Sequence, residues 1–290
     1  MMSVFRKFHL FAIVTSLNAL VVFSLVVVAI AEQTNEDTIS VLIDGNPASV
    51  KRGAIFARRG QDIEIILSDA PATGVQWHLN TAKPLDYNNQ LYCKNIRSCT
   101  QPIEYTTEEI PSYRDKTRIV LSENPKLTVL GTHELTVRTD HYEKQLQVVI
   151  RQDDSFVGYA TELLGVPFVY APGYQAGMHQ TDLRKGADCV ALILYARRRL
   201  GDAVPYVAPP RLYDFTRKIG DKSTVSRARI ETGDILHFGF QTAIVAEHRS
   251  NKVGLDDNDL IIHTYHGVAE ITTFSHLAYK NEHYDILRWK

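Results

Sequence analysis

The feature that most constrains this chain is the alternation of apolar and polar residues in its first half. Residues 62–67 alternate, and both this segment and the strand-like segment 38–43 end at turn residues. Two further alternating segments, 133–138 and 144–150, flank a short polar stretch and predict a hairpin. Several short strands without a helical period are typical of two packed sheets. We therefore expect residues 32–150 to form an all-β sandwich of immunoglobulin-like type.

The pattern changes in the second half. A short helix is predicted at residues 156–164 and a longer one at 189–200, where Asp188 is a suitable N-cap. Strand-like segments follow at residues 234–238, 242–247, 260–266 and 284–289. Helices followed by antiparallel strands predict an α+β domain over residues 153–290.

The first 31 residues have the order of a secretory signal peptide. Arg6 and Lys7 form a short basic region, an apolar stretch follows, and Ala29-Ile30-Ala31 supplies a small-x-small site before a polar run. The alternative is an uncleaved membrane anchor, because about 20 apolar residues span a bilayer. Either reading places the rest of the chain outside the cytoplasm, in the periplasm or at the cell surface, with membrane contact only through this segment.

The cysteines agree with export. The chain has three of them, and an odd number in a secreted protein leaves one unpaired. Cys93 and Cys99 lie close together and can close a small loop in an oxidising compartment, whereas Cys189 is remote. We expect a Cys93–Cys99 disulfide and a free thiol at Cys189.

Charge and motif content exclude several partner classes. The formal net charge is −1, so there is no bulk attraction for nucleic acid or for an anionic membrane surface. We find neither the ligand spacing of a zinc site nor a phosphate-binding glycine loop, and we therefore expect no metal and no other cofactor. The sequence gives no indication of oligomeric state.

Cys189 is the residue best placed to carry chemistry. It falls in the first turn of the longer predicted helix, where unpaired main-chain N–H groups and the helix dipole stabilise a thiolate. The same N–H groups would stabilise the oxyanion formed when a thiolate attacks an acyl carbon. The alternative is a buried cysteine that only packs as a small apolar side chain.

Four segments around Cys189 occur in an order and spacing typical of one enzyme family. They are Gly165-Val166-Pro167-Phe168-Val169-Tyr170, Gly186-Ala187-Asp188-Cys189, Gly233-Asp234-Ile235-Leu236-His237-Phe238 and Leu260-Ile261-Ile262-His263. Together they resemble the motifs of NlpC-type peptidases, papain-like bacterial enzymes that cleave murein peptides. The resemblance covers residues 153–290. It implies a papain-like α+β fold in which a cysteine helix packs on an antiparallel sheet.

One departure from the family bears directly on activity. Gln241 occupies the position of the family's general-base histidine, and an amide cannot accept a proton at neutral pH. In one explanation His263, at the position of the family's third catalytic residue, is the base and Gln241 orients it or donates to the oxyanion. In a second, His237 or His266 lies near the thiol instead. In a third, the domain binds murein peptides without cleaving them.

The resemblance also suggests two substrate-binding residues. Tyr170 would line the substrate cleft, although an aromatic residue there also suits a core. Asp188 is at minimum a helix cap and by resemblance would bind a peptide amino group. The leading hypothesis is an exported cysteine hydrolase that cleaves amide bonds of murein peptides through Cys189. The alternatives are an inactive murein-binding protein of the same fold, or an adhesion or assembly protein acting through the β-sandwich.

Overall fold

The computed structural model describes residues 39–68, 70, 73–84, 100–175, 177–225, 229–249 and 253–290. Two of the predictions fall elsewhere: the signal segment at residues 1–31 and the Cys93–Cys99 disulfide lie outside the described residues. Within the described ranges, no helix combines the length and the apolar character needed to cross a membrane.

The first part of the described chain consists of strands in two sheets. These strands are β1 (Ile39–Ile43), β2 (Asn46–Ala48), β3 (Ala54–Arg58), β4 (Ile63–Leu67), β5 (Gln76–Ala82), β6 (Tyr105–Glu109), β7 (Arg118–Val120), β8 (Gly131–Arg138) and β9 (Glu143–Arg151). One sheet has the order β2-β1-β4-β7 and the other the order β3-β9-β8-β5-β6. The pairing of β3 with β9 is parallel, and the other pairings in these two sheets are antiparallel.

One apolar core fills the space between these two sheets. Val41 and Ile65 enter it from the first sheet, and Trp77, Leu135 and Val148 enter it from the second. Burial of an aliphatic side chain of this size stabilises the fold by about 2 kcal/mol. The hairpin predicted from alternation is confirmed as β8 and β9, which pair from Gly131 opposite Ile150 to Arg138 opposite Glu143.

The second part of the chain contains the helices and a further sheet. Its elements are α1 (Phe156–Ala160), β10 (Tyr174–Gln175), β11 (Met178–His179), α2 (Cys189–Arg199), β12 (Thr216–Asp221), β13 (Ile235–His237), β14 (Thr242–Glu247), β15 (Leu260–Thr264), β16 (Ala269–Thr273) and β17 (Asp285–Trp289). The short helix predicted at 156–164 is α1 followed by a 3-10 turn at Thr161–Leu163. The helix predicted at 189–200 is α2, with Asp188 as its N-cap.

Helix α2 packs on a six-stranded antiparallel sheet. The strand order is β12-β17-β13-β14-β15-β16. Val190 and Leu194 of α2 share one apolar cluster with Ile244 of β14 and Ile262 of β15. A second cluster, which includes Val245, covers the other face. The fold is therefore mainly β with few helices, within the predicted α+β class.

Buried polar contacts connect the two parts of the chain. The side chain of Glu162 is fully buried, accepts from Tyr195 Oη at 2.5 Å and pairs with Arg199 Nε at 2.9 Å. Its main-chain oxygen accepts from Thr132 Oγ1 of β8 at 2.6 Å. These contacts hold the C-terminal half of α2 against the first part of the chain, so they fix the helix whose first residue is Cys189.

Candidate active site

Cys189 is one of the residues that line a cavity in the second part of the chain. This cavity has a volume of about 1000 Å³. Aromatic side chains form much of its lining, namely Phe168, Tyr170, Tyr174, Tyr206, Phe240 and Tyr265. Asp188 is the only carboxylate among the described lining residues, and none of those residues is Lys or Arg. The space therefore suits an organic ligand with apolar or uncharged parts.

Local backbone geometry explains why Cys189 begins the helix at this point. Gly186 has φ of +154°, and a Cβ atom there would lie 2.4 Å from Cγ2 of Val169. Only glycine therefore allows the segment before α2 to pass this close to Val169. The Asp188 carboxylate accepts from the Ala191 N–H at 2.7 Å, which caps the helix. These two residues position the sulfur at the first turn and toward the cavity.

The groups around the Cys189 thiol shift its pKa in opposite directions. Burial and the nearby Asp188 carboxylate raise the pKa of Cys189 to about 12. The hydroxyl and main chain of Thr242 and the N–H of Val190 act in the other direction and lower that pKa. Burial also raises the pKa of Asp188 to about 6, despite main-chain N–H donors that favour its charged form. The thiol is therefore protonated at neutral pH in this arrangement, and its reaction requires an acceptor for the proton.

Two stacked rings form one part of the cavity wall. The ring of His179 stacks on Tyr206 with centroids 3.5 Å apart, and Tyr206 Oη donates to Asp182 Oδ1 at 2.8 Å. Burial lowers the pKa of His179 to about 4, so this ring is neutral at pH 7.

Ala171 and His266 both have positive φ, at +49° and +53°, and both line the cavity. Left-handed non-glycine residues of this kind are strained and often occur at functional sites.

A chain of hydrogen bonds leads from Gln241 to His263. The Gln241 amide donates to the main-chain oxygen of Thr264 at 2.7 Å and to Tyr279 Oη at 3.4 Å. Tyr279 Oη lies 3.0 Å from His263 Nδ1. On the far side, His263 Nε2 lies 3.4 Å from Glu270 Oε1, directly across from it on β16.

The chemistry of these groups fixes the direction of each hydrogen bond. Burial lowers the pKa of His263, so its ring is neutral at pH 7 and carries one hydrogen. The Glu270 carboxylate can only accept, so that hydrogen is on Nε2 and Nδ1 accepts the Tyr279 proton. Both hydrogens of the Gln241 amide are also committed, one to Thr264 and one to Tyr279. Gln241 therefore has no hydrogen left to donate to an oxyanion in this arrangement.

The predicted site residues occupy two connected regions. Cys189, Asp188, Tyr170 and Gln241 line the cavity, and the side chain of Tyr170 is exposed at its rim. His263 lies on β15 behind Gln241, and both of its ring nitrogens face other partners, Tyr279 and Glu270.

The other two candidate histidines also have defined positions. Both ring nitrogens of His237 have main-chain partners, Pro209 O at 3.1 Å and the Gly239 N–H at 3.2 Å. His266 lines the cavity, with its ring 6.0 Å from that of Phe168. Within the described residues, no group of three or more His, Cys, Asp and Glu side chains is arranged to hold a metal ion.

Several residues around the site were not predicted from the sequence. Thr242, beside the thiol, is the residue after Gln241, and a closer inspection of that strand start would have found it. His179 and Phe240 line the cavity but belong to no motif. Tyr279 lies in a loop without periodicity, and nothing in the neighbouring sequence distinguishes it.

Comparisons with protein-family models, with curated proteins and with solved structures find no match to this chain.

Proposed function

We propose that this protein is an exported cysteine hydrolase that cleaves amide bonds of murein peptides. The observation that carries the proposal is the position of Cys189, the first residue of an 11-residue helix and part of the wall of a cavity of about 1000 Å³. A nucleophile needs both access to substrate and main-chain donors near its sulfur. The order of motifs resembling NlpC-type peptidases supports murein peptides as the substrate.

In this mechanism, the Cys189 sulfur attacks the carbonyl carbon of the bound amide. The N–H of Val190 favours the thiolate, and the N–H of Ala191 is occupied by the Asp188 carboxylate. The oxyanion is therefore assigned to the main-chain N–H of Cys189 itself rather than to Ala191 or to the Gln241 amide. The aromatic rim residues Tyr170 and Phe240, exposed by 55% and 58%, hold the peptide over the sulfur.

The same proposal extends to the fold of each part. The packing of α2 on the six-stranded sheet supports a papain-like domain of NlpC type over residues 153–290. The two sheets that share a core, with β3 parallel to β9, support an immunoglobulin-like sandwich over residues 32–150. We assign this sandwich the role of a spacer or binding module.

A second candidate is a murein-binding protein without turnover. It is favoured by the thiol pKa of about 12 and by Gln241 at the position where the family has its base. Such a protein would keep the cavity and the helix start but would lack a proton acceptor in direct contact with the sulfur. It predicts peptide binding with no products.

Stepwise chemical modification of the Cys189 thiol distinguishes these two functions. Full-length exported protein is treated with increasing methyl methanethiosulfonate, and mass spectrometry measures the modified fraction of the Cys189 peptide. The same samples are incubated with purified muropeptides, and the cleaved peptides are quantified. A hydrolase loses activity in proportion to Cys189 modification. Sustained cleavage by fully modified protein would reject the nucleophile, and binding without any cleavage by unmodified protein would support the second candidate.

A further inference from the structure

We propose that His266 is a specificity-determining residue that binds a carboxylate of the substrate. The inference rests on the proposed function and deepens it, because it names a recognition contact inside the same cavity. His266 is exposed and lines the cavity that Cys189 and Asp188 also line. The contact is a charge-assisted hydrogen bond from the imidazolium to the carboxylate.

Main-chain pairing places His266 and Asp188 on opposite sides of the segment that contains Phe168. The Phe168 N–H donates to Gly267 O at 2.7 Å, and on its other side Phe168 forms a parallel β-bridge with Ala187. Gly267 directly follows His266, and Ala187 directly precedes Asp188. Two strand spacings therefore separate the main chains of His266 and Asp188, a distance of about 10 Å.

This separation suits two residues of a peptide. One residue of extended chain advances about 3.5 Å, so the two ends of a two-residue unit lie about 7 Å apart. Both Asp188 and His266 line the cavity, one with a carboxylate and the other with an imidazole. The cavity can therefore hold such a unit with its amino group toward Asp188 and its carboxylate toward His266.

His179, the other histidine among the described lining residues, is not suited to this contact. Its Nδ1 accepts from the Thr181 N–H at 3.3 Å, and its ring also bonds to the main chain of Pro172. Burial lowers the pKa of His179 to about 4, so this ring carries no positive charge at neutral pH. Because the described lining residues include no Lys or Arg, a substrate carboxylate is assigned to His266.

The backbone and two neighbouring rings hold His266 in position. Its φ of +53° lies in the left-handed region, which histidine adopts more readily than most other non-glycine residues. Its ring packs edge-on against Tyr265 with centroids 4.0 Å apart, and its centroid lies 6.0 Å from that of Phe168. A side chain held in this way loses little conformational entropy when it binds a ligand.

Calorimetry with two muropeptides that differ in one group tests the contact. The second residue of the peptide stem has a free α-carboxylate in one muropeptide and a carboxamide in the other. Both are titrated into full-length Cys189→Ala protein, in which they are not consumed. The titrations are made at pH 6, because histidine side chains gain positive charge below neutral pH. We expect the free acid to bind about tenfold more tightly, at the low end for hydrogen bonds to charged groups.

A second substitution in the same background assigns this preference to His266. His266→Asn removes the imidazole and keeps a residue that tolerates the left-handed backbone. We expect this variant to bind the two muropeptides with equal affinity. His283→Asn is the matched control, because His283 is exposed, pairs with Asp285 and is not part of the cavity wall. It should keep the tenfold preference.

The outcomes distinguish this contact from the proposed function. Equal affinity for the two muropeptides in the protein that retains His266 would overturn the contact, and this comparison does not depend on the folding of His266→Asn. A tenfold preference that persists in His266→Asn would also overturn it. Neither result affects the hydrolase proposal, because cleavage is measured separately by the modification of Cys189. A lack of binding by either muropeptide would reject the contact, and if wild type also cleaves neither, the proposed function is rejected with it.

Discussion

The side-chain amide of Gln241 donates to Tyr279 Oη over 3.4 Å, at the place where the resemblance expects a histidine to face the nucleophile. Because the same amide also donates to the Thr264 carbonyl, both of its hydrogens serve to hold neighbouring groups. Gln241 thus orients a tyrosine instead of accepting a proton.

Gln241→His should restore a direct base. An imidazole at this position would stand beside Thr242, which touches the thiol. We expect alkylation of Cys189 at pH 7 to be about a hundredfold faster than in wild type, at the low end of general-base effects. Gln241→Leu is the control, because it removes the same amide without adding a base and should not accelerate alkylation. Equal rates for the two variants would contradict the expected role of this position.

Asp188→Asn should change how stability depends on pH. Burial raises the pKa of Asp188 to about 6, so the folded protein keeps a proton that the unfolded chain releases between about pH 4 and pH 6. The stability contributed by this group is fully present below that window and is lost as the pH rises through it. Asparagine keeps the helix cap without the charge. The Tm of wild type relative to Asp188→Asn should therefore fall from pH 4 to pH 6, and a constant difference would contradict the raised pKa.

Gly186→Ala should destabilise the protein through a steric clash at the start of α2. The added Cβ would lie 2.4 Å from Val169 Cγ2, on a backbone with φ of +154°. We expect a loss of about 3 kcal/mol in urea unfolding, since overpacking alone typically costs about 1–3 kcal/mol. Gly201→Ala is the control: Gly201 has φ of +103° but no atom within 4 Å of the added Cβ. A similar loss in both variants would assign the effect to backbone strain and not to Val169.

Glu162→Gln should weaken the attachment of α2 to the rest of the chain. The carboxylate is fully buried and bonds to Tyr195 and Arg199, and the Arg199 side chain is 33% exposed, so the amide removes the counter-charge of a half-buried guanidinium. We expect a loss of about 2 kcal/mol in the free energy of unfolding, less than for a fully buried pair because water reaches the Arg199 side chain. Glu282→Gln, an exposed substitution, serves as the reference and should change stability by less than about 0.5 kcal/mol. Equal stability of the two variants would show that the buried pair contributes little.

The helices and central strands were predictable because their signals are local. Asp188 caps α2 through its own side chain, and the strand that contains Ile244 is a continuous apolar segment. The edge strands β12 and β16 were missed, because their pattern is largely polar and pairing with a neighbouring strand holds them. Sequence periodicity reports burial, and an edge strand buries too little to reveal itself.

The site was predictable only in part for a related reason. Cys189 could be selected from its place in the first turn of a predicted helix, and Gln241 from its distance to a Gly-Asp pair. The hydrogen bond between Tyr279 and His263 joins residues 16 apart. Strand β16 lies between them in the chain, Tyr279 lies in a loop beyond that strand, and no motif or period connects the two residues. A contact of this kind depends on the tertiary packing of that loop on the sheet. The contact between Tyr279 and His263 could therefore be found only in the structure, whereas Cys189 could be selected as a candidate nucleophile from the sequence.

The central claim is that Cys189 is the nucleophile of an amide hydrolase. Its most direct test is the rate at which full-length wild type and Cys189→Ala cleave purified muropeptides, with peptide binding measured in parallel by calorimetry. We expect the variant to bind muropeptides with wild-type affinity and its kcat/KM to be lower by at least about a thousandfold. Cleavage by Cys189→Ala at the wild-type rate would contradict it.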